Sequence, residues 1–542
     1  MSGGISRRYK IRQCYVRCKS LPHIYTLTKV KEIKGMNTFM NSLQNTYNFK
    51  RTENGALAHK STGSAVYDMF AMGAAYRSRS DADCILLFKN AFEEDETLAL
   101  KCLFYIRDCR GGQGERRFFR VCMRWLAENH PERAAALAEY VPEYGRYDDW
   151  FKIYFGTPVE GQVIKMMKSQ LSTDMFCKKN AVSLLAKWMP SENASSKETI
   201  KMAKEIRIAF SISAKEYRQM LSKLRAKINV LERLMSANRW DEIEFDKIPS
   251  KAGLVYKNAF ARRDIIAKKY ERFAKDKTTK VNASTLYPYE VVAKAMQHMG
   301  RGGWYSNYSL NIDEVDRAMI NKYWENLPDY LDGKDCSMMC VVDTSGSMVR
   351  SDAAAPINVA ISLGLYCAER AGGPFKNHYI SFSSRPQLIK TEGVDFVDKV
   401  YRIYRTNLCE NTDLPAVFDL LLATAKRPGV KASDIPKTIV VISDMEIDSG
   451  SGSYWRGNGW TKTSASTEME RIRQRWAAAG LKMPKLVYWN VDARNNTILD
   501  AGSNVTFVSG MSPVIFQQVL TGKTGYDLML DKLMSERYKD IQ

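Results

Sequence analysis

Two textures of hydrophobic and polar positions divide this 542-residue chain. From Met36 to residue 330, apolar residues recur at three- and four-residue spacing, the period of helices with one buried face. Residues 64–77, 81–92, 96–108, 117–128 and 133–140 read as successive helices joined by short turns. Ser213-Ala214-Lys215-Glu216 is a capping box. It opens a long helix with Tyr217, Leu221, Leu224, Ile228, Leu231 and Met235 on one stripe. No strand alternation of length interrupts the region and no clean fixed period repeats, so stacking of helix pairs is expected from class alone.

From Cys336 the pattern changes. Residues 338–342, 378–383, 438–443, 486–491 and 505–508 are short apolar runs rich in β-formers, separated by helical stretches at 354–371, 414–425, 466–479, 513–520 and 526–538. Strands alternating with helices predict a mostly parallel, Rossmann-like sheet covered on both faces. The expected architecture is multidomain. A basic extension spans 1–35, an all-α, helical-repeat-like region 36–330, and an α/β domain 331–542.

Charge sharpens that division. The first 330 residues hold 56 of the 81 Lys and Arg and 37 of the 60 Asp and Glu, an excess of 19, whereas residues 331–542 carry 25 basic and 23 acidic residues. A basic part joined to a nearly neutral one points to a polyanionic partner, most often nucleic acid, although a merely soluble basic surface has the same composition. Residues 1–35 carry nine Lys and Arg against Glu32 alone. They lack the apolar core of a secretory signal. The stretch reads as a nucleic-acid arm, a targeting segment or an extension upstream of a start at Met36. The eleven cysteines form no CxxC pair, and the odd number without a signal peptide suggests a reducing, cytoplasmic compartment. No apolar run is long enough to span a membrane. The five histidines do not cluster, which argues against zinc.

Candidate chemistry concentrates where the first strand of the α/β part ends. Asp343-Thr344-Ser345-Gly346-Ser347 packs a carboxylate and three hydroxyls into five residues. An oxygen-only set of that kind suits a hard divalent cation. The loop falls just beyond the carboxyl end of a strand, where open α/β sheets bind ligands. Asp and Ser are also ordinary turn residues. In the helical part, Arg107 to Arg117 is a Gly-rich loop flanked by Arg107, Arg110, Arg116 and Arg117. It reads either as a phosphate cradle at a helix start or as a helix C-cap with a tight turn. It lacks the Lys-Ser/Thr ending of a P-loop. Arg146, within Tyr144-Gly145-Arg146-Tyr147-Asp148-Asp149-Trp150, and Lys178 with Lys179, before the apolar run ending at Trp188, complete the candidate RNA-contacting residues. Such aromatics interleaved with charge can stack bases or simply pack helix ends.

The Asp-x-Ser-x-Ser pattern after an apolar strand resembles the metal-ion-dependent adhesion site of von Willebrand factor type A domains. That family also uses a distal Thr and a distal Asp, here Thr412 and Asp444. The resemblance implies that Ser345, Ser347 and Thr412 touch Mg²⁺ or another divalent cation, with Asp343 and Asp444 acting directly or through water. Where the family often has Gly after its last Asp, this chain has Met445-Glu446-Ile447-Asp448. Glu446 and Asp448 therefore stand as residues that alter the metal preference or fill the open position. Several phrases, among them Ile106-Arg107-Asp108-Cys109-Arg110-Gly111-Gly112-Gln113-Gly114-Glu115-Arg116, Tyr144-Gly145-Arg146-Tyr147-Asp148-Asp149 and Pro484-Lys485-Leu486-Val487-Tyr488-Trp489-Asn490-Val491, resemble the family called domain of unknown function 2828, from about residue 36 to the C-terminus. The architecture is similar to that of the Ro ribonucleoproteins, a TROVE module of helical repeats closed into a ring by an A domain.

This resemblance implies a monomeric, non-enzymatic RNA-binding protein that takes small or single-stranded RNA on its basic helices. A second expectation is a scaffold in which a protein partner's carboxylate completes the cation site. No Ser-His-Asp set, Cys-His pair or phosphate fingerprint supports an enzyme. The remaining catalytic reading is a Mg²⁺-dependent nuclease built on Asp343, Asp444, Glu446 and Asp448.

Overall fold

The computed structural model describes residues 48–542 apart from 179–180, 229–230, 301–308, 407–410, 449–454, 457–458, 461–467, 500–503 and 524. The 1–35 extension, the Met36 start and Lys179 lie outside the described residues. The chain separates into the units Met1–Phe49 and Lys50–Gln542, and the fold described is that of the second.

Six strands form the central sheet: β1 (Met338–Asp343), β2 (His378–Phe382), β3 (Leu388–Lys390), β4 (Thr438–Ser443), β5 (Lys485–Asn490) and β6 (Val505–Ser509). Their order is β6-β5-β4-β1-β2-β3, and every pairing is parallel except β2 with β3. All six residues of β1 are buried, as a strand covered on both faces requires. The strand order reverses between β1 and β4, so the crevice at their carboxyl ends is the expected ligand position. The short antiparallel edge β3 and the helix Phe396–Thr406 were not anticipated. In β3 only Ile389 is half-buried, so it leaves no apolar signature. The helix does carry a 3/4-spaced face of Phe396, Val397, Val400, Ile403 and Tyr404.

Before β1 the described residues are mostly helical, apart from a two-stranded sheet of Phe49–Arg51 and Leu57–His59, and the capping box forms as its sequence dictates. Ser213 N donates to Glu216 Oε2 at 2.7 Å and Glu216 N to Ser213 Oγ at 3.2 Å. The helix it opens is described over Ala214–Ile228, and Leu231–Ser236 is again helical, with 229–230 outside the described residues.

Both ends of the helical series pack on the sheet part. Helix Ala65–Met72 covers the edge strand β6, with Phe507 N donating to the Tyr67 hydroxyl at 2.8 Å. Covering an edge blocks unwanted strand pairing. At the other end, helix Glu314–Glu325 stacks Trp324 on Phe396 at 4.1 Å, and Arg317 grips Asp395 through two bonds of 2.6 and 3.0 Å. One hydrophobic core runs from Ala58 through the sheet to Ile541.

Candidate cation site and basic surface

Sheet register assembles the acidic site. Val342 pairs with Ile442, which brings the end of β1 level with Ser443. The Ser443 hydroxyl donates to Asp343 Oδ2 at 2.5 Å, and Ser345 N donates to Asp343 Oδ1 at 2.9 Å. Ser345 Oγ lies 3.0 Å from Ser347 Oγ, and Ser347 in turn hydrogen-bonds Asp444. Asp343, Ser345, Thr412 and Asp444 are buried. Burial, and then the charge of Asp444, push the Asp343 carboxyl up to about 7. Two carboxylates that oppose each other's ionisation inside a ring of hydroxyls fit a divalent cation, which would reverse that penalty. Among the described residues, no three His, Cys, Asp or Glu side chains converge as a metal centre. The donor set is therefore two carboxylates supplemented by hydroxyls.

The chain after Asp444 departs from expectation. Met445 takes a left-handed φ of 66°, the conformation a Gly would adopt freely, and its N–H is held by Ser443 Oγ at 3.0 Å. Glu446 and Asp448 are both engaged in hydrogen bonds with the surrounding chain. Glu446 accepts from Glu53 N at 2.7 Å and Thr497 Oγ1 at 3.1 Å. Asp448 accepts from Thr412 N at 2.9 Å, while Thr412 Oγ1 donates to the Glu446 carbonyl at 3.3 Å. These acids tie the loop and Thr412 in place, and the four-carboxylate nuclease set does not form as one cluster.

Sequence reasoning missed Arg494. From the loop after β5, its guanidinium reaches Asp444 Oδ2 at 2.9 Å and Glu53 at 2.7 Å. Burial works against its charge, and Asp444, Glu53 and Glu446 more than restore it. The same loop is stitched to the helical part by Ala493 N to the Ala75 carbonyl at 3.0 Å and Arg79 to the Arg494 carbonyl at 2.6 Å. A lone Arg in a polar loop gives no signal in sequence; only the crossing of β5 onto the β4 side places it.

The predicted basic residues separate into two groups. Arg107 is corrected: it is 1% exposed and bonds Asp149 through Nε at 3.0 Å and a terminal nitrogen at 2.7 Å, so it cannot meet RNA. Arg117 is half-buried and paired with Asp81. The Gly-rich loop is a helix cap. Gly112 N and Gly114 N donate to the Asp108 carbonyl at 3.2 and 3.0 Å, and Glu115 N to the Ile106 carbonyl at 2.8 Å. Its amides are spent on the preceding helix and form no phosphate cradle. A Cβ on Gly112 would stand 2.0 Å from the Tyr105 carbonyl oxygen. The Asp108 side chain anchors the C-terminus through Arg537, at 2.8 and 3.0 Å, and Tyr538, at 3.1 Å. Arg110, Arg116 and Lys178 are exposed and Arg146 is half-buried. Arg110 is tied to the Glu143 carbonyl.

Comparison with known proteins gives three findings. Residues 52–143 and 161–335 match the family described as Domain of unknown function (DUF2828), and residues 337–539 match a second, Domain of unknown function (DUF7788). The chain is 28% identical over 516 residues to uncharacterized protein L728 of Acanthamoeba polyphaga mimivirus, covering 88% of this chain and 85% of that protein. The crystal structure of the Deinococcus radiodurans RO (RSR) protein superposes with a TM-score of 0.45 at 13% identity, covering 86% of this chain and all of that one.

Proposed function

We propose that this chain, whose helical part belongs to the DUF2828 family, is a non-enzymatic protein that binds small or single-stranded RNA on its basic helices. The observation that carries the reading is the distribution of charge, an excess of 19 positive charges in residues 1–330 against 2 in the remainder. Neutralised phosphates release counterions, so log affinity falls linearly with log salt by about 0.7 per single-strand phosphate contacted. Titration of the purified chain with a 20-nucleotide single-stranded RNA at several salt concentrations tests this. A slope of several units is expected. No binding, or binding insensitive to salt, overturns it.

The hydrogen-bonded grouping of Asp343, Ser345, Ser347 and Asp444, with Thr412 as a further candidate, favours a second reading, a cation-dependent protein-interaction surface. These residues would hold Mg²⁺ or a similar ion, which when bound supplies a coordination position for a partner's carboxylate. A protein partner retained from the source cells with Mg²⁺ and released by chelator would support it; among the described residues no helix is long and apolar enough to cross a membrane.

A further inference from the structure

Helix Leu185–Trp188 ends in a half-buried indole. The Arg146 guanidinium lies 4.5 Å from the Trp188 ring centroid and the Lys187 ammonium 5.9 Å from it. Among the described residues, neither Arg146 nor Arg116 has a carboxylate partner at ion-pair distance. The two are close enough that, after burial, the Arg116 charge is the next cause lowering the pKa of Arg146. The acids nearest in sequence are already occupied. Asp148 holds Arg120 at 2.8 Å, and Asp149 holds Arg107 at 2.7 Å and Arg120 at 2.6 Å. Asp148 and Asp149 act on Arg146 from a distance, but their ion pairs are made to other cations, which leaves the patch positive.

Both halves of the patch are fixed from beneath. Arg146 N donates to Asp149 Oδ2 at 3.0 Å. A Cβ on Gly145 would stand 2.4 Å from the same oxygen and 2.8 Å from Arg107 Nε, so the glycine lets the chain close over the buried pair. The turn carrying Trp188 is clamped by Arg225, which donates to the Ala186 carbonyl at 2.9 Å, the Met189 carbonyl at 2.6 Å and Ser191 Oγ at 2.8 Å. The buried Tyr217 hydroxyl adds a bond of 2.8 Å to the Pro190 carbonyl. An indole and a guanidinium held in place before the ligand arrives lose little conformational freedom on binding.

We propose that Trp188, Arg146 and Arg116 form a site for single-stranded RNA, in which a base stacks on the indole and backbone phosphates meet the two guanidiniums. Aromatic side chains flanked by cations suit an unpaired strand because every base has a π-face and every nucleotide a phosphate. The inference rests on the RNA-binding reading and assigns it a place on the molecule.

The test is fluorescence anisotropy of the full chain with a fluorescein-labelled 15-residue oligouridine and with an abasic ribose-phosphate strand of equal length. Trp188→Leu is expected to weaken oligouridine binding about tenfold, as loss of one stacked base does, and to leave the abasic strand unaffected. Trp188→Phe is expected to restore most of the loss. The double variant Arg116→Gln, Arg146→Gln is expected to lower the salt slope by about 1.4, two contacts at about 0.7 each. If the parent binds oligouridine and all variants match it in affinity and slope, the site is wrong while the RNA reading stands. Equal loss on both strands in Trp188→Leu makes Trp188 a packing residue and also overturns the proposal. A parent that binds neither strand removes the RNA reading and this site together.

Discussion

Asp149 and Asp343 are both fully buried, yet they sit in opposite electrostatic circumstances. Asp149 lies between Arg107 and Arg120; burial works against its charge, but the two arginines hold it below the usual carboxylate range. Asp343 has hydroxyl and amide donors but no cationic side chain at ion-pair distance among the described residues, and burial beside Asp444 pushes it well above that range. The first site is electrically complete. The second leaves its buried acid without a cation at ion-pair distance among the described residues. Arg116 and Arg146 show the same incompleteness with the sign reversed.

The comparison is broken most directly at the complete site. Arg107→Met strands buried negative charge, and breaking a buried pair costs about 3–5 kcal/mol. Arg116→Met, an exposed change, is expected to stay within about 0.5 kcal/mol. Urea denaturation of both variants checks the contrast, and similar losses would erase it. At the incomplete site, Mg²⁺ at a hundredfold excess over its Kd should stabilise the parent by about 2.7 kcal/mol. Asp343→Ala should abolish that gain. Melting curves with and without Mg²⁺ that shift equally in parent and variant would remove the cation site.

A smaller effect concerns Asp108, which Arg537 and nearby amides hold below its ordinary range against the penalty of burial. A depressed carboxylate pKa contributes stability that is fully present above the unfolded value of about 3.9 and lost as pH falls through the lower folded value. Arg537→Gln should therefore cost about 1.5–3 kcal/mol near neutrality. The difference from the parent should shrink on acidification below about pH 4, as acid titration of the unfolding free energy would show; a pH-independent difference would contradict the linkage. The smallest change is at Arg494, the tethered cation on Asp444. A partly exposed ion pair is worth up to about 1 kcal/mol, so Arg494→Met should tighten Mg²⁺ by up to about fivefold in isothermal titration. Weaker binding would make Arg494 a support of the site.

Much of this was legible along the chain. Period 3–4 in the first part and short apolar runs in the second foretold helices and parallel strands, because each pattern is the local consequence of burying one face or two. The strand-then-loop order of Met338 to Ser347 placed Asp343 at the carboxyl end of a buried strand. Residues such as Arg107 and Arg146 could not be sorted the same way, since both are arginines beside glycines and aromatics.

What the sequence by itself determined is the type of each element, the division of charge between the two parts, and the residue types able to hold a cation. Only the tertiary structure decided that Asp149 neutralises Arg107, that the Gly-rich loop caps a helix and anchors Arg537, and that Arg494 leans on Asp444. The physical reason is range. Secondary structure follows from neighbours three or four positions apart, whereas a charge is made free or spent by whichever partner the packed core brings to it, here across separations of 42, 50 and 429 residues.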